Sequence, residues 1–294
     1  MRIIGIAASV CSCLVLAACT AGAAAGGEQA AVSTPPPASM SVPAAGAEFV
    51  SGADKEAMIA QLRKGSYLPR EAVPSSLLLN PAPPAPGSAA MARDEEASRA
   101  GLALMGTPRW EQARIDANLF TPAITGTFSC AAGFRISPET TPKLQALLLK
   151  SMMDFGLSTY PTKNKYQRGR PFMENGKPIC TPDQEEVLRK DGSYPSGHSA
   201  IGYGMGLILA EVVPDRAAQL VARGRAFGDS RRICNVHWLS DIEEGRVVAS
   251  AVAARLNADP AFETDLAAAR AEVAASRASL PVPDCAREDA ALGG

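Results

Sequence analysis

The chain has 294 residues, of which 47% are hydrophobic, and this composition excludes an intrinsically disordered protein. The length allows one large domain or two small ones, each with a packed core. Lys and Arg total 29 against 30 Asp and Glu, and the formal net charge of −1 excludes a general basic surface for nucleic acid.

The N-terminal residues 1–19 have the pattern of an export signal. Arg2 is the only charged side chain in this segment, and the apolar stretch that follows, Ile3 to Leu16, is too short for a stable membrane span. The sequence Leu16-Ala17-Ala18-Cys19 resembles a bacterial lipobox, in which Cys19 carries the lipid anchor, and ordinary cleavage nearby is the alternative. We expect a lipoprotein signal peptide and an exported, periplasmic protein anchored through Cys19.

Residues 20–48 are rich in Ala, Gly, Pro and Ser and contain almost no large apolar residue, which predicts a flexible linker. We expect one folded domain over residues 49–280 and a short C-terminal tail over residues 281–294. A second proline-rich stretch, residues 80–87, is predicted to cross the surface of that domain in extended form.

Beyond residue 90 the chain repeatedly shows the patterns that begin helices. Thr107-Pro108 and Thr141-Pro142 each place an N-cap residue before a proline at the first helical position. The second of these predicted helices ends at Gly156 and carries apolar residues at helical spacing, namely Leu144, Leu147, Leu148, Met152 and Phe155.

Further helices are predicted in the second half of the chain. The segment from His198 to Val213 is almost uncharged, which predicts a helix buried on most of its sides. A helix from Pro214 to about Phe227, a capping box at residues 240–243 that begins a helix to about residue 256, and a helix beginning at Asp259-Pro260 follow. Because strand-like alternation is scarce, the sequence predicts an all-α fold with a single helical-bundle domain.

The seven cysteines fall into two groups. Three belong to the predicted signal peptide and four remain in the mature chain, namely Cys11, Cys13 and Cys19, and Cys130, Cys180, Cys234 and Cys285. Four cysteines in an exported protein predict two disulfides, for which three pairings are open. No two of the four are close enough in sequence for the spacing of a zinc site.

The first candidate cluster is a basic run at residues 163–171. Lys163, Lys165, Arg168 and Arg170 lie close together in sequence, and these side chain types bind phosphate oxygens through a mobile charge or a planar fork. Taken alone, such a run is more often a solvated basic loop.

The second candidate cluster is Pro195-Ser196-Gly197-His198, at the start of the predicted buried helix. Unpaired N–H groups at a helix N-terminus attract anions, Ser196 adds a hydroxyl group, and Gly197 lets the backbone approach a ligand. His198 can transfer a proton near neutral pH. The alternative is a plain helix cap with a structural histidine nearby.

The third candidate cluster contains Ser230-Arg231, His237 and Asp241. Arg231 suits a phosphate oxygen, and Asp241 can accept from one ring nitrogen of His237 and aim the other at a substrate. Compensation of a helix dipole is the plain alternative for Asp241, and both roles are compatible. Trp238 is interpreted as a core residue.

In chain order the clusters read Lys-x6-Arg-Pro, Pro-Ser-Gly-His and Ser-Arg-x5-His-x3-Asp. With these motifs the chain resembles the superfamily of type 2 phosphatidic acid phosphatases and vanadium haloperoxidases. Within it, residues 192–198 and 234–238 resemble the bacterial class A nonspecific acid phosphatases. The resemblance extends from about Tyr67 to about Phe262, and it implies an acid phosphatase domain that hydrolyses phosphomonoesters.

The resemblance also implies roles for individual residues. His237 is the nucleophile that forms a phosphohistidine, His198 is the acid and base, and Asp241 orients His237. The phosphate is held by Lys163, Arg170, Ser196, Gly197, His198 and Arg231. No metal or other cofactor is implied, the substrates are small phosphomonoesters with phosphate transfer to alcohols as a side activity, and a homo-oligomer, commonly a dimer, is expected.

Three departures and three alternatives leave the specific function open. Ser199, Arg232 and Asn235 stand where a threonine, an apolar residue and a glycine are common in the family, and the changes at Arg232 and Asn235 can alter substrate preference. A haloperoxidase would need an extra active-site histidine, whereas this chain has two histidines. A lipid phosphatase normally has several membrane spans, although a lipid-tethered domain can act on head groups. A non-catalytic phosphate-binding lipoprotein would be favoured by missing motif residues, and none is missing.

Overall fold

The computed structural model describes residues 66–119 and 122–293, with the backbone alone at residues 122 and 123. The predicted signal peptide, the lipid-anchor residue Cys19, the linker at residues 20–48 and the start of the predicted domain lie outside this part of the chain. Within it, no helix combines the length and the hydropathy that crossing a bilayer requires.

The described residues are largely helical and contain no strand, which confirms the all-α prediction. The α-helices are α1 (Ser76–Leu79), α2 (Ala89–Leu102), α3 (Pro108–Asp116), α4 (Ser129–Ala132), α5 (Pro142–Leu157), α6 (Tyr160–Tyr166), α7 (Pro171–Asn175), α8 (Glu185–Arg189), α9 (Gly197–Val212), α10 (Ala217–Ile233), α11 (Leu239–Leu256), α12 (Pro260–Ser276) and α13 (Ala286–Leu292). Short 3-10 helices lie at Arg70–Ala72, Pro122–Phe128, Pro182–Gln184, Pro214–Arg216 and Arg277–Ser279. Residues 80–87 form no helix and are mostly exposed, as predicted.

Helix α9 forms the centre of the bundle and packs against α5, α10, α11 and α12. Most of its residues are buried, as the uncharged sequence predicts. Its glycines allow this packing, because a Cβ at Gly206 would lie 2.8 Å from the Leu220 carbonyl oxygen of α10. The central helix therefore holds its own N-terminus, at Ser196 and Gly197, in a fixed place within the fold.

Two of the predicted helix starts are confirmed by the capping bonds that the sequence suggests. The side chains of Thr107 and Asp259 accept backbone N–H groups from the first turns of α3 and α12. Pro142 begins α5 as expected, although the Thr141 side chain makes no capping hydrogen bond.

Two predicted helix ends are wrong. Helix α5 continues through Gly156 and ends at Leu157, because Gly156 does not adopt the left-handed conformation with which a glycine ends a helix. Helix α10 runs past Phe227 to Ile233. Beyond Phe227 the helix stays close to α9 at Gly228, where a Cβ would lie 2.7 Å from Ser199 Oγ.

The capping box of α11 also differs from the prediction. Trp238, not Ser240, is the N-cap residue, and Oδ2 of Asp241 accepts its backbone N–H at 2.8 Å. Ser240 instead contacts Asp94 of α2, donating its backbone N–H at 2.7 Å and its hydroxyl at 2.6 Å. Carboxylates from two helices therefore hold the start of α11.

Two disulfides select one of the three open pairings. Cys130 pairs with Cys285 at a Cα–Cα distance of 5.7 Å, and Cys180 pairs with Cys234 at 4.8 Å. The first bond joins the C-terminal segment to α4. In that segment α13 packs on α3, and an ion pair of 3.1 Å joins Glu288 to Nε of Arg223 on α10.

Candidate active site

His237 lies between α10 and α11, and hydrogen bonds fix its buried ring at both nitrogens. Nδ1 is 3.1 Å from Oδ2 of Asp241, and Nε2 is 3.1 Å from Nη1 of Arg170. Because a guanidinium group only donates, Nε2 accepts and the ring proton sits on Nδ1. The predicted nucleophile therefore presents an unprotonated nitrogen to one of the predicted phosphate ligands.

The carboxylate of Asp241 is shared between the histidine and an arginine. Its Oδ2 accepts from His237, and its Oδ1 accepts from Nη1 of Arg168 at 2.7 Å. The other end of the Arg168 guanidinium donates to Asp94 Oδ2 at 2.7 Å. Burial raises the pKa of Asp241, and the charge of Arg168 counteracts that rise. Asp94, Arg168 and Asp241 thus form a chain of charges behind His237.

Three of the predicted phosphate ligands, Lys163, Arg170 and Arg231, form a buried cation cluster. Lys163 Nζ donates to the carbonyl oxygen of Gly192 and lies 3.5 Å from Asp191 Oδ2. Arg170 Nη2 lies 3.0 Å from the same oxygen. Among the described residues, Nε, Nη1 and Nη2 of Arg231 have no hydrogen-bond partner although the side chain is fully buried. Unpaired buried donors are costly, so the Arg231 guanidinium favours a bound anion.

The second predicted cluster forms the N-terminus of α9 beside these cations. Ser196 is the N-cap residue, its Oγ accepts from Ser199 N at 3.2 Å, and its backbone N–H donates to the carbonyl oxygen of Asp241 at 2.9 Å. His198 Nε2 lies 2.9 Å from the Ala117 carbonyl oxygen. A carbonyl only accepts, so Nε2 donates and Nδ1 of His198 keeps its lone pair.

The electrostatic environment keeps both imidazoles neutral and the cations charged at neutral pH. Burial, reinforced by Arg170, Lys163 and Arg231, lowers the pKa of His237 well below its usual value. Burial, reinforced by Arg231, does the same to the pKa of His198. Burial also lowers the pKa of Lys163 to about 8 and, together with Arg170, the pKa of Arg231 to about 9.

The three motifs that the sequence singled out lie in this one region. The alternative of a solvated loop is wrong for the basic run, because Lys163 and Arg170 are buried and the Arg168 side chain is only 8% exposed. Lys165 alone among its cations is exposed. The basic run therefore lies inside the domain and is not a solvated surface loop.

Two of the three departures from the family pattern, Arg232 and Asn235, are accommodated outside the cation cluster. Arg232 donates to the Ala97 carbonyl oxygen of α2 at 2.6 Å. Asn235 has a φ of 62°, in the left-handed region that Asn tolerates, and its Nδ2 donates to Asn175 Oδ1 at 3.1 Å. Both side chains are held by neighbouring helices and loops.

Sequence reasoning missed two charged residues of the region, namely Asp94 and Asp191. Arg168 belongs to the basic run of candidate phosphate-binding cations, but its guanidinium pairs with the carboxylates of Asp241 and Asp94. Asp94 and Asp191 belong to no motif, so sequence spacing alone gives no sign of them. In the described part of the chain, no three or more His, Cys, Asp or Glu side chains are grouped so that they could hold a metal ion.

Comparison with known proteins gives one family and a set of relatives. The family model described as the PAP2 superfamily matches residues 145–263, a range that contains all three motifs. The non-specific acid phosphatase of Salmonella typhimurium is 42% identical over 209 residues, which cover 70% of this chain and 83% of that protein. The acid phosphatase of Zymomonas mobilis is 39% identical over 202 residues, covering 69% and 76%. The non-specific acid phosphatase of Providencia stuartii is 39% identical over 209 residues, covering 71% and 84%.

Proposed function

The chain belongs to the PAP2 superfamily, alongside the non-specific acid phosphatases, and on this premise we propose that it hydrolyses phosphomonoesters through a phosphohistidine at His237. One observation carries the proposal. Arg231 has a buried guanidinium group with unpaired donors, and the backbone carbonyl oxygen of Arg231 accepts the backbone N–H of His237 at 3.3 Å. The charge of Arg231 also helps to lower the pKa of His237, so an anion receptor acts on the same ring that carries the unprotonated nitrogen, an arrangement that suits phosphoryl transfer to histidine.

In the first step the phosphate group of the ester binds among Lys163, Arg170 and Arg231. Nε2 of His237 attacks phosphorus, the P–N bond forms, and the P–O bond to the leaving alcohol breaks. Asp241 holds the Nδ1 proton and stabilises the ring as its positive charge develops. The cations stabilise the charge on the phosphoryl oxygens in the transition state, which is the main contribution expected in such reactions.

His198 supplies the proton for the leaving alcohol. Burial and the charge of Arg231 lower the pKa of His198 and keep its imidazole neutral in the free enzyme. A bound phosphate ester offsets the positive charge that lowers this pKa, so Nδ1 of His198 takes up a proton on binding and passes it to the alcohol oxygen. In the second step His198 accepts a proton from water, which attacks phosphorus, breaks the P–N bond and releases orthophosphate. Another alcohol can replace water, which gives the phosphotransferase side activity.

The substitution His237→Ala tests the proposal. We expect turnover of p-nitrophenyl phosphate to fall by about 10⁴-fold or more, since both steps use Nε2, and we expect rapid quenching to trap a phosphorylated His237 peptide from the wild type alone. Val247→Ala, at an exposed site on α11, is the control and should retain activity. Substantial turnover by the folded His237 variant would refute the assignment.

We also propose export to the periplasm, lipidation at Cys19 and a homo-oligomer, all of which rest on the sequence pattern and the family resemblance. Mass spectrometry of the mature protein tests the first two. An unmodified N-terminus beyond Cys19 would contradict the lipid anchor, and a monomeric mass in light scattering would contradict the oligomer.

A further inference from the structure

Asp191 lies beside the cation cluster, between the end of α8 and Gly192, and is absent from the motifs. Its Oδ2 is 3.0 Å from Nη2 of Arg170 and 3.5 Å from Nζ of Lys163. The Asp191 side chain is 36% exposed, whereas those of Arg170 and Lys163 are 1% and 5% exposed. A solvent-facing carboxylate therefore pairs with two buried cations that are proposed to hold phosphate.

The donors of the cation cluster are unequally occupied. All three guanidinium nitrogens of Arg170 have acceptors, since Nε donates to the Leu188 carbonyl oxygen at 2.8 Å, Nη1 donates to the Val236 carbonyl oxygen at 3.0 Å, and Nη2 donates to Asp191. Those of Arg231 have none within the described residues. The donors of Arg231 are therefore available to an anion, whereas the Asp191 carboxylate accepts from Nη2 of Arg170 and Nζ of Lys163.

Hydrogen bonds hold the backbone of Asp191, whereas its carboxylate is partly exposed. Its backbone N–H donates to the Leu188 carbonyl oxygen at 3.3 Å, and its own carbonyl oxygen accepts from Arg170 Nε at 3.1 Å. The next residue, Gly192, packs closely on α6, because a Cβ there would lie 3.0 Å from the Lys163 carbonyl oxygen. Rotation of the Asp191 side chain would release Oδ2 to solvent and leave this backbone in place.

We propose that Asp191 is an affinity-determining residue, whose carboxylate competes with the phosphate group for Lys163 and Arg170. The inference rests on the proposed phosphatase function of the same site. A carboxylate and a phosphate oxygen accept the same N–H donors, so one must leave or share them when the other binds. The competition weakens binding of both the ester and orthophosphate, and it speeds release of the product.

The test compares Asp191→Asn and Asp191→Ala with the control Asp183→Asn. Asp183 is exposed and its charge acts on Arg114, so the control removes the same formal charge away from Lys163 and Arg170. Binding of orthophosphate is measured by calorimetry and as competitive inhibition of p-nitrophenyl phosphate hydrolysis. We expect orthophosphate to bind about tenfold more tightly to both Asp191 variants, because each substitution removes one negative charge that repels the phosphate. We expect no change in the control.

Two results separate this inference from the proposed function. Unchanged or weaker orthophosphate binding in folded Asp191 variants would overturn the inference, because a residue that merely positions Lys163 and Arg170 would weaken binding when removed. Calorimetry needs no turnover, so this outcome is independent of catalysis. Absence of hydrolysis by the wild type would instead overturn the proposed function.

Discussion

Asp241 meets two opposing requirements. Its carboxylate must hold the Nδ1 proton of His237, yet a full negative charge at 3.1 Å also favours protonation of the imidazole. Arg168 takes the other carboxylate oxygen at 2.7 Å and neutralises part of that charge. We therefore interpret Arg168 as a positioning residue that lets Asp241 orient the ring while the neighbouring cations keep Nε2 of His237 unprotonated.

The pKa values predict the pH dependence of kcat/KM, which reports the free enzyme. The pKa of His237 is lowered, so the nucleophile stays neutral as the pH falls through 6. The pKa of Lys163 is about 8, so this cation loses its proton as the pH rises above that value. The pKa of His198 is also lowered, and the proposed mechanism needs a proton on this group. We therefore expect kcat/KM to fall as the pH rises from about 6, and to fall more steeply above about pH 8.

Initial rates with p-nitrophenyl phosphate at low substrate concentration, in buffers of constant ionic strength, measure this profile. Lys163→Arg provides the comparison, because arginine keeps its charge over this range and should flatten the alkaline decline. A profile that rises only above pH 8 would be inconsistent with a neutral His237 and a charged Lys163 at acidic pH.

At the residue scale, motif positions could be predicted from the sequence, but their supporting charges could not. His237 and Asp241 are four positions apart, so local spacing is enough to pair them. Asp94 contacts Ser240 across 146 positions of the chain, and no spacing rule connects such residues. Asp191 directly precedes the segment at residues 192–198 that carries the second motif. Its contacts with Lys163 and Arg170 are not visible in the sequence, because they depend on how α6, α7 and α8 fold around it.

At the scale of helices, close packing of α9 on α10 depends on glycines that face backbone atoms. A Cβ at Gly224 would lie 2.7 Å from the Gly202 carbonyl oxygen, which belongs to the opposite helix and cannot rotate away. We expect Gly224→Ala to lower the free energy of unfolding by about 1–3 kcal/mol, as overpacking of a core does. Urea denaturation followed by circular dichroism measures the change.

Gly156→Ala is the matched control for this substitution. It also lies in a helix, but its Cβ would lie 3.4 Å from the flexible end of Ile201, close to ordinary contact. The change should be neutral or stabilise α5 by up to about 1 kcal/mol, because alanine favours helix more than glycine does. Equal destabilisation by both substitutions would show that the backbone contact of Gly224 is not the cause.

Helix starts could be predicted better than helix ends. A start is marked by local chemistry, as at Thr107-Pro108 and Asp259-Pro260, where a side chain caps its own first turn. No comparable local signal marks the end of α10, which runs past Phe227 to Ile233 and packs through Gly228 against Ser199 of α9. Ser240 resembles an N-cap residue, but Asp94 of another helix takes its donors.

At the scale of the whole molecule, composition and periodicity were sufficient to predict the all-α fold, since the apolar helix α9 and its amphipathic neighbours are visible in the sequence. The disulfide pairing was not predictable. It depends on α13 returning to α4, and the two cysteines of that bond are 155 positions apart. Only the packed structure brings these ends of the domain together.

Removal of the Cys130–Cys285 bond should lower stability without changing the chemistry. We expect the double substitution Cys130→Ser and Cys285→Ser to reduce the free energy of unfolding by about 2–4 kcal/mol, because the bond restricts the unfolded chain. Neither cysteine contacts the cation cluster, so kcat of the folded variant should equal that of the wild type. Denaturation without reductant and the rate at saturating substrate check both statements.

The matching double substitution of Cys180 and Cys234 should behave differently. Cys234 lies in the turn before His237, and its partner packs with Phe172, which follows Arg170 and Pro171. We expect a loss of both stability and kcat. Identical effects of the two double substitutions on kcat would contradict the local role of the second bond.

The two disulfides are nested, since the bond from Cys180 to Cys234 lies within the interval closed by Cys130 and Cys285. All the motif residues, from Lys163 to Asp241, fall inside the outer interval. A protease that cuts the backbone once anywhere between residues 130 and 285 therefore leaves a single covalent molecule. Cleavage of one loop within this interval cannot release a fragment bearing a motif residue, so an enzyme nicked there keeps His198, His237 and the phosphate ligands attached until both a cut and a reductant have acted.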